Sequence, residues 1–121
     1  MNVADQKYLE GTTIFLADRC LHTSTLYKHY IITIGGLSLK SGHLIKEIVE
    51  IFNIEKGELE KFNLQGDELQ QIQRHSACLI DSNKILIFGG FRAEVLNDVA
   101  IMTIEETSRK NTLFWYHYLN L

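Results

Sequence analysis

Short apolar runs alternate with polar turn residues along this chain. Residues 31–34 and 85–88 are rich in isoleucine, are too short for a helix, and have turn residues on both sides. A polar segment precedes each run, at residues 27–30 and 81–84, and the second of these has the composition of a hairpin turn. The pattern therefore predicts β-strands that are joined by tight hairpins.

The two hairpins belong to an internal repeat. Each copy opens on an arginine, Arg19 or Arg74, continues with a histidine followed by small residues, and closes on a pair of glycines. The histidines and glycine pairs are His22 with Gly35-Gly36 and His75 with Gly89-Gly90. The pairs begin at positions 35 and 89, 54 residues apart. Glycines at the end of a strand indicate either positive φ or the close approach of another backbone.

Further strands complete each copy. We expect third strands at residues 48–53 and 98–103, and fourth strands near residues 59–64 and 113–121. One segment also fits a helix, because apolar residues between positions 45 and 52 fall at i, i+3, i+4 and i+7. The β-prone composition of the matching segment in the second copy favours a strand there. Residues 66–73 are expected to form either a helical turn or a linker.

Composition narrows the class of protein. The 121 residues are 45% hydrophobic and carry a formal net charge of −3, with both signs scattered along the chain. These values favour a packed core over disorder, and they argue against direct binding to nucleic acid. No apolar stretch has the length of a membrane span. Residues 1–18, expected to form a strand or extension, lack the apolar core of a signal peptide. We expect a cytoplasmic protein that makes no membrane contact.

The repeat resembles the kelch repeat of β-propeller proteins. The second copy has Arg74-His75-Ser76-Ala77, its glycine pair, Asn97-Asp98 and a late aromatic residue, Trp115. In the first copy Lys46-Glu47 stands in place of the Asn-Asp pair, and Phe62 is the late aromatic residue. The spaced glycine pairs make the resemblance specific, and it covers most of the chain.

The resemblance implies an all-β fold of two four-stranded antiparallel blades, which form part of a β-propeller. The blades would span residues 19–64 and 74–121, with a linker at residues 65–73 and the first strand of each blade innermost. A propeller closes with roughly 4–8 blades, so two blades leave an apolar face and unpaired strand edges open on each side. We therefore expect the chain to complete a propeller with further blades or to self-associate, unless it is a truncated product.

The resemblance also implies a non-catalytic module that binds a protein or peptide through loops at the mouth of the propeller. The expected partner-binding residues are Arg74, Phe91 and Arg92 in the second copy, and Leu37 and Ser38 in the first. For Arg74 a structural ion pair or hydrogen bond is an equally good interpretation, and for Arg92 a solvated loop is the better one. His22, His75 and the glycine pairs are expected to be structural.

Part of a larger enzyme or adaptor is the alternative class. The chain would then be the propeller portion of a larger protein, such as a ubiquitin-ligase adaptor or a relative of the tRNA wybutosine-synthesising methyltransferases, which the segment at residues 21–25 and its Ile-Gly-Gly resemble. Within the chain we find no catalytic motif and expect no cofactor.

One set of residues has the composition of a zinc site, namely Cys20, His22, His75 and Cys78. Strand alternation argues against it, since His75 and Cys78 are three residues apart and would point to opposite faces. We expect no metal, two free thiols, and a buried, apolar environment for Cys78.

Overall fold

The computed structural model describes residues 18–67, 70–92, 95, 98–107 and 110–120. Within these ranges all regular secondary structure is β-strand, so the prediction of an all-β chain is confirmed. The strands are β1 (Arg19–Cys20), β2 (Thr23–Tyr27), β3 (Tyr30–Ile34), β4 (Leu37–Ser38), β5 (Val49–Asn53), β6 (Glu58–Glu60), β7 (Asn63–Gly66), β8 (Ser76–Asp81), β9 (Lys84–Phe88), β10 (Asp98–Glu106) and β11 (Asn111–Asn120). Of the expected extension at residues 1–18, all but the last residue lies outside the described residues, as does Asn97.

The first large sheet is an antiparallel meander in the order β2-β3-β5-β6. Its opening ladder runs from the pair Thr23 and Ile34 to the pair Tyr27 and Tyr30, so the loop between β2 and β3 contains only two residues. Lys28, the first of them, has φ 51°, a positive value that two-residue hairpin loops favour because it matches the twist of the strands. The turn predicted at residues 27–30 is thereby confirmed.

The second large sheet has five strands, in the order β7-β11-β10-β9-β8. Strands β8 to β11 are antiparallel to their neighbours. The additional strand β7 runs parallel to β11, with Leu64 opposite Leu113 and Gly66 opposite Trp115. A segment that lies between the two repeats in sequence therefore extends the second sheet at its outer edge.

Two details differ from the sequence prediction, and a third feature confirms the strand that was favoured over a helix near residues 48–53. The fourth strand of the first copy, expected near residues 59–64, is the shorter β6, and residues 63 and 64 belong to β7. The segment 65–73, expected as a linker, begins with the last two residues of β7. The helical spacing before residue 52 has another origin, since β5 begins at Val49 and Ile45 is buried in a loop, where its N–H donates to Gly36 O at 3.1 Å.

The core forms where the two large sheets pack face to face. Ile32 and Ile34 of β3 are fully buried, and they share one apolar cluster with Ile85 of β9 and Met102 of β10. Each fully buried side chain of this size contributes about 2 kcal/mol through the hydrophobic effect. Alternate residues of every central strand point into this layer, which is the two-residue period read from the sequence.

Candidate partner-binding site

The glycine pairs lie where one sheet meets the other. Gly35 has φ 71° and Gly36 has φ 103°, and the N–H of Gly36 donates to the carbonyl of Ile72, in the segment before β8, at 2.7 Å. A Cβ on Gly35 would stand 2.3 Å from that carbonyl oxygen. Both reasons for glycine that the sequence suggested, positive φ and close backbone approach, therefore apply here.

The second glycine pair has almost the same backbone, with φ 71° at Gly89 and 105° at Gly90. A Cβ on Gly90 would stand 2.8 Å from the Ile72 side chain and 2.9 Å from Gln73 O. The segment at residues 72 and 73 thus passes between the two glycine pairs. This end of the molecule, which we call the Gly-Gly end, also holds the residues expected to bind a partner.

The backbone before β2 and β8 corrects the alignment of the two copies. Leu21 has φ 60° and Arg74 has φ 57°, and each is followed by a histidine that leads into the first strand. Arg74 is therefore equivalent to Leu21. The sequence pattern had matched Arg74 with Arg19 instead. The Arg74 N–H donates to Leu21 O at 3.0 Å, so these two positions also join the sheets.

Arg74 and Phe91 come together at the Gly-Gly end. Arg74 is exposed, and its guanidinium carbon lies 6.0 Å from the centre of the Phe91 ring, at the outer limit of a cation–π contact. Phe91 is fixed by its backbone, because it donates to Gln73 O at 2.8 Å and accepts from Gln73 N at 3.2 Å. The site therefore presents a cation beside a partly exposed aromatic ring.

Arg92 stands next to this pair and is half-buried. Its Nε donates to the carbonyl of Gln71 at 3.0 Å, which ties the loop after β9 to the segment before β8. The solvated loop that the sequence favoured for this residue gives way to a defined contact. Phe91 and Arg92 are consequently held in place by hydrogen bonds to Gln73 and Gln71.

Leu37 and Ser38 form β4, which pairs with β1 in a two-stranded sheet. Leu37 lies opposite Cys20, and Ser38 lies opposite Arg19. Both residues are half-buried, and the Ser38 N–H donates to His43 O at 2.8 Å. They lie at the same end of the molecule as Arg74, to which they connect through residues 20 and 21.

The two histidines occupy equivalent positions in different environments. His75 is only 7% exposed, and its Nε2 lies 2.9 Å from the hydroxyl of Thr23 in the other sheet. Burial lowers the pKa of His75, repulsion from His22 lowers it further, and a hydrogen bond with the Ile34 backbone partly offsets both effects. His22 itself is exposed. The contact with Thr23 joins the two sheets and supports a structural role for His75.

Arg19 is a residue whose role the sequence did not indicate. Its side chain is 3% exposed, and it donates to Gly35 O at 2.7 Å, to Glu47 O at 3.0 Å and to the Glu50 carboxylate at 2.8 Å. Arg19 therefore holds the first glycine pair, the following loop and β5 together. The one sequence signal for this role is that Arg19 opens the copy whose strand β3 ends at the first glycine pair.

A second polar cluster joins the sheets at the opposite end. One oxygen of Glu106 accepts hydrogen bonds from the Tyr27 hydroxyl at 2.8 Å and from the Lys28 ammonium at 2.6 Å. The Lys28 contact first, and the Tyr27 contact second, hold the pKa of Glu106 below its usual value. The cluster ties the first hairpin to the end of β10.

Metal ligands do not converge in the part of the chain that the structure describes. No group of three or more His, Cys, Asp or Glu side chains there could hold a metal ion. Cys20 is half-buried and Cys78 is exposed, and both are free thiols. The buried environment expected for Cys78 is wrong, because this residue is exposed on the outer face of β8.

Comparison with protein-family models and with curated proteins finds no match for this sequence. Across the described ranges, no helix is both long enough and apolar enough to span a membrane.

Proposed function

We propose that this chain is a non-catalytic protein-interaction module that binds a protein or peptide partner at the Gly-Gly end. In this proposal the two large sheets are neighbouring kelch-type blades of a β-propeller. The observation that carries the proposal is the exposed Arg74, which lies beside the Phe91 ring on a backbone that both sheets hold in place. Binding residues are often found in such loops, positioned by a rigid β scaffold.

Three features support the blade arrangement. The two sheets pack face to face over one apolar cluster. The first strands of the two meanders, β2 and β8, lie next to each other, as the innermost strands of adjacent blades do. The glycine pairs repeat their backbone angles within a few degrees, so the two sheets carry the same structural joint at the same place.

The chemistry of the Gly-Gly end favours an acidic partner segment with an apolar side chain. Arg74 lies beside the Phe91 ring, and Arg92 follows Phe91 in the same loop. Arginine pairs well with carboxylates because its guanidinium can donate two parallel hydrogen bonds. The Phe91 ring, partly exposed, offers an apolar surface next to Arg74. A peptide with a carboxylate next to a leucine, phenylalanine or similar residue would use both features.

Peptide selection followed by an affinity measurement tests the proposal. We expect the 121-residue chain to enrich acidic peptides from a random display library. Replacement Arg74→Ala should weaken the best peptide at least about tenfold, because a hydrogen bond to a charged group contributes about 1.5–3 kcal/mol. Lys61→Ala, which removes an exposed cation between β6 and β7, is the matched control and should bind normally. Enrichment of neutral or basic peptides, or equal binding by Arg74→Ala, would contradict the proposal.

The second candidate is the propeller portion of a larger enzyme or adaptor. The observation in its favour is that each large sheet exposes an apolar outer face, with Leu26 60% exposed on the first and Phe88 48% exposed on the second. Exposed patches of this kind mark surfaces that another polypeptide covers.

A further inference from the structure

Each large sheet has an outer face with exposed apolar side chains, among them Leu26 on the first sheet and Phe88 on the second. On the first sheet Leu26, Ile31, Phe52 and Leu59 stand opposite one another in register, one on each strand. On the second sheet Cys78, Leu86, Ile101 and Tyr116 form the corresponding row across β8 to β11. A continuous apolar row across four strands is typical of a face that packs against another sheet.

The strand registers make the outer face of the second sheet equivalent to the inner face of the first. In the first sheet Ile34 pairs with Val49, and Ile32 pairs with Ile51. The equivalent pairs in the second sheet are Phe88 with Val99 and Leu86 with Ile101. The first set is turned toward the second sheet and contributes to the core, whereas the second set is turned outward.

In the same way, the outer face of the first sheet is equivalent to the inner face of the second. Ile31 and Phe52 pair with each other on that face, and they occupy the register positions of Ile85 and Met102, a pair that is fully buried between the sheets. The two open faces are therefore the two halves of the interface that the chain already contains. Joining them would continue that interface from one chain to the next.

Charges near the hairpins support the same pairing. Within the chain, the first hairpin is tied to the second sheet by Tyr27 and Lys28, which contact Glu106. The register places Asp81 at the position of Tyr27. Counting on from Asn53 and Thr103, which are equivalent in the ladders, Lys56 stands at the position of Glu106. Within the chain the hairpin carries the cation and the other sheet carries the anion. Between chains the hairpin would carry Asp81 and the other sheet Lys56, so the contact would again bring opposite charges together.

We infer that the outer face of the second sheet binds the outer face of the first sheet of a second copy of this chain. The contact is head-to-tail, because it joins two different surfaces, and repeated head-to-tail contacts close into a ring when the rotation permits. Propellers close with roughly 4–8 blades, which corresponds to about two to four copies of two blades each. The inference rests on the blade arrangement in the proposed function, but not on the partner-binding site.

Light scattering on the purified 121-residue chain tests this inference. The wild-type chain should have one discrete mass, two to four times the 13.9 kDa of a single chain. Phe88→Lys places a charge on one open face and Leu26→Lys places a charge on the other, and each variant alone should be a monomer. Leu39→Lys, at an exposed leucine outside both faces, is the control and should keep the wild-type mass.

A mixture of the two monomeric variants provides the decisive experiment. Phe88→Lys retains the outer face of its first sheet, and Leu26→Lys retains the outer face of its second sheet. An equimolar mixture should therefore form a dimer, with twice the mass of one chain, and no larger species. A dimer of Leu26→Lys alone would overturn the inference, since it would show a contact between identical faces. A monomeric or heterogeneously aggregated wild type would overturn it as well.

The partner-binding proposal can fail independently of this inference. Far-ultraviolet circular dichroism should show the same β signal for every variant, and Arg74→Ala should retain the wild-type mass. Loss of peptide selectivity with a discrete oligomer would contradict the proposed site alone. Selective peptide binding by a monomeric wild type would contradict the assembly alone.

Discussion

The joint between the sheets at Gly35 can be tested with a single methyl group. Gly35→Ala places a Cβ at a position with φ 71°, only 2.3 Å from the carbonyl oxygen of Ile72. Gly42→Ala is a matched control, because Gly42 has φ 73° and no atom lies within 4 Å of its added Cβ. The two substitutions impose the same backbone strain, and only the first obstructs the joint.

The expected magnitudes follow from these contacts. An alanine in the left-handed region costs about 1 kcal/mol, which applies to both variants. At Gly35 the backbones must also separate, which breaks the bond from Gly36 N–H to the same carbonyl, at about 1 kcal/mol. Disturbed packing of the neighbouring core adds about 1–2 kcal/mol. We expect Gly35→Ala to lower the free energy of unfolding by about 3–4 kcal/mol, and Gly42→Ala by about 1 kcal/mol.

Urea denaturation at a fixed chain concentration measures the difference. Trp115, the single tryptophan of the chain, is buried and reports the loss of the core by fluorescence, while circular dichroism follows the strands. Both variants should have the wild-type dependence on urea, and only their midpoints should shift. Equal midpoints for the two variants would refute the reasoning, because the close approach of Ile72 would then carry no energetic cost.

Two further predictions concern groups buried between the elements. The lowered pKa of His75 means that its neutral form stabilises the fold above pH of about 6.5, the unperturbed pKa, and that this contribution is lost as the pH falls through the folded pKa. The advantage of wild type over His75→Gln in urea denaturation should therefore shrink in acid, and a constant difference would contradict this. Arg19→Ala removes the buried ion pair with Glu50 together with the hydrogen bonds to the Gly35 and Glu47 carbonyls, and it should cost about 3 kcal/mol. Lys28→Ala breaks an ion pair that is more exposed and therefore screened by solvent, so it should destabilise the protein less than Arg19→Ala does. Thermal melting that ranks the two variants equally would count against the account of Arg19.

Local sequence signals were sufficient for the hairpins and the glycine pairs. The polar turn at residues 81–84 and the isoleucine runs on either side act over a few residues, where composition and period determine the outcome. Gly35 and Gly36 could be assigned to a strained or crowded backbone because few other residues adopt their φ values. These features predict the all-β fold and the two-copy organisation of the chain.

Long-range pairing accounts for what the sequence could not predict. Strand β7 forms a parallel pair with β11, nearly fifty residues later, and nothing in Asn63 to Gly66 indicates which sheet it will join. The role of Arg19 is similar, since it depends on carbonyls of Gly35 and Glu47 that only the folded chain brings to it. The sequence comparison matched Arg74 with Arg19, whereas the positive φ that Arg74 shares with Leu21 shows that Leu21 is the equivalent residue.

The joint also connects the two proposals in physical terms. Among the described residues, backbone hydrogen bonds cross between the sheets from Gly36 to Ile72 and from Arg74 to Leu21. If a second copy docks as inferred, Gly90 occupies the place of Gly36, and Leu21 of the second copy occupies the place of Arg74. The boundary between chains then adjoins Arg74, so that each copy adds one partner-binding site to the ring. An assembly of this kind would bind a partner that carries several acidic segments more tightly than any single site, because each later contact forms at a high effective concentration.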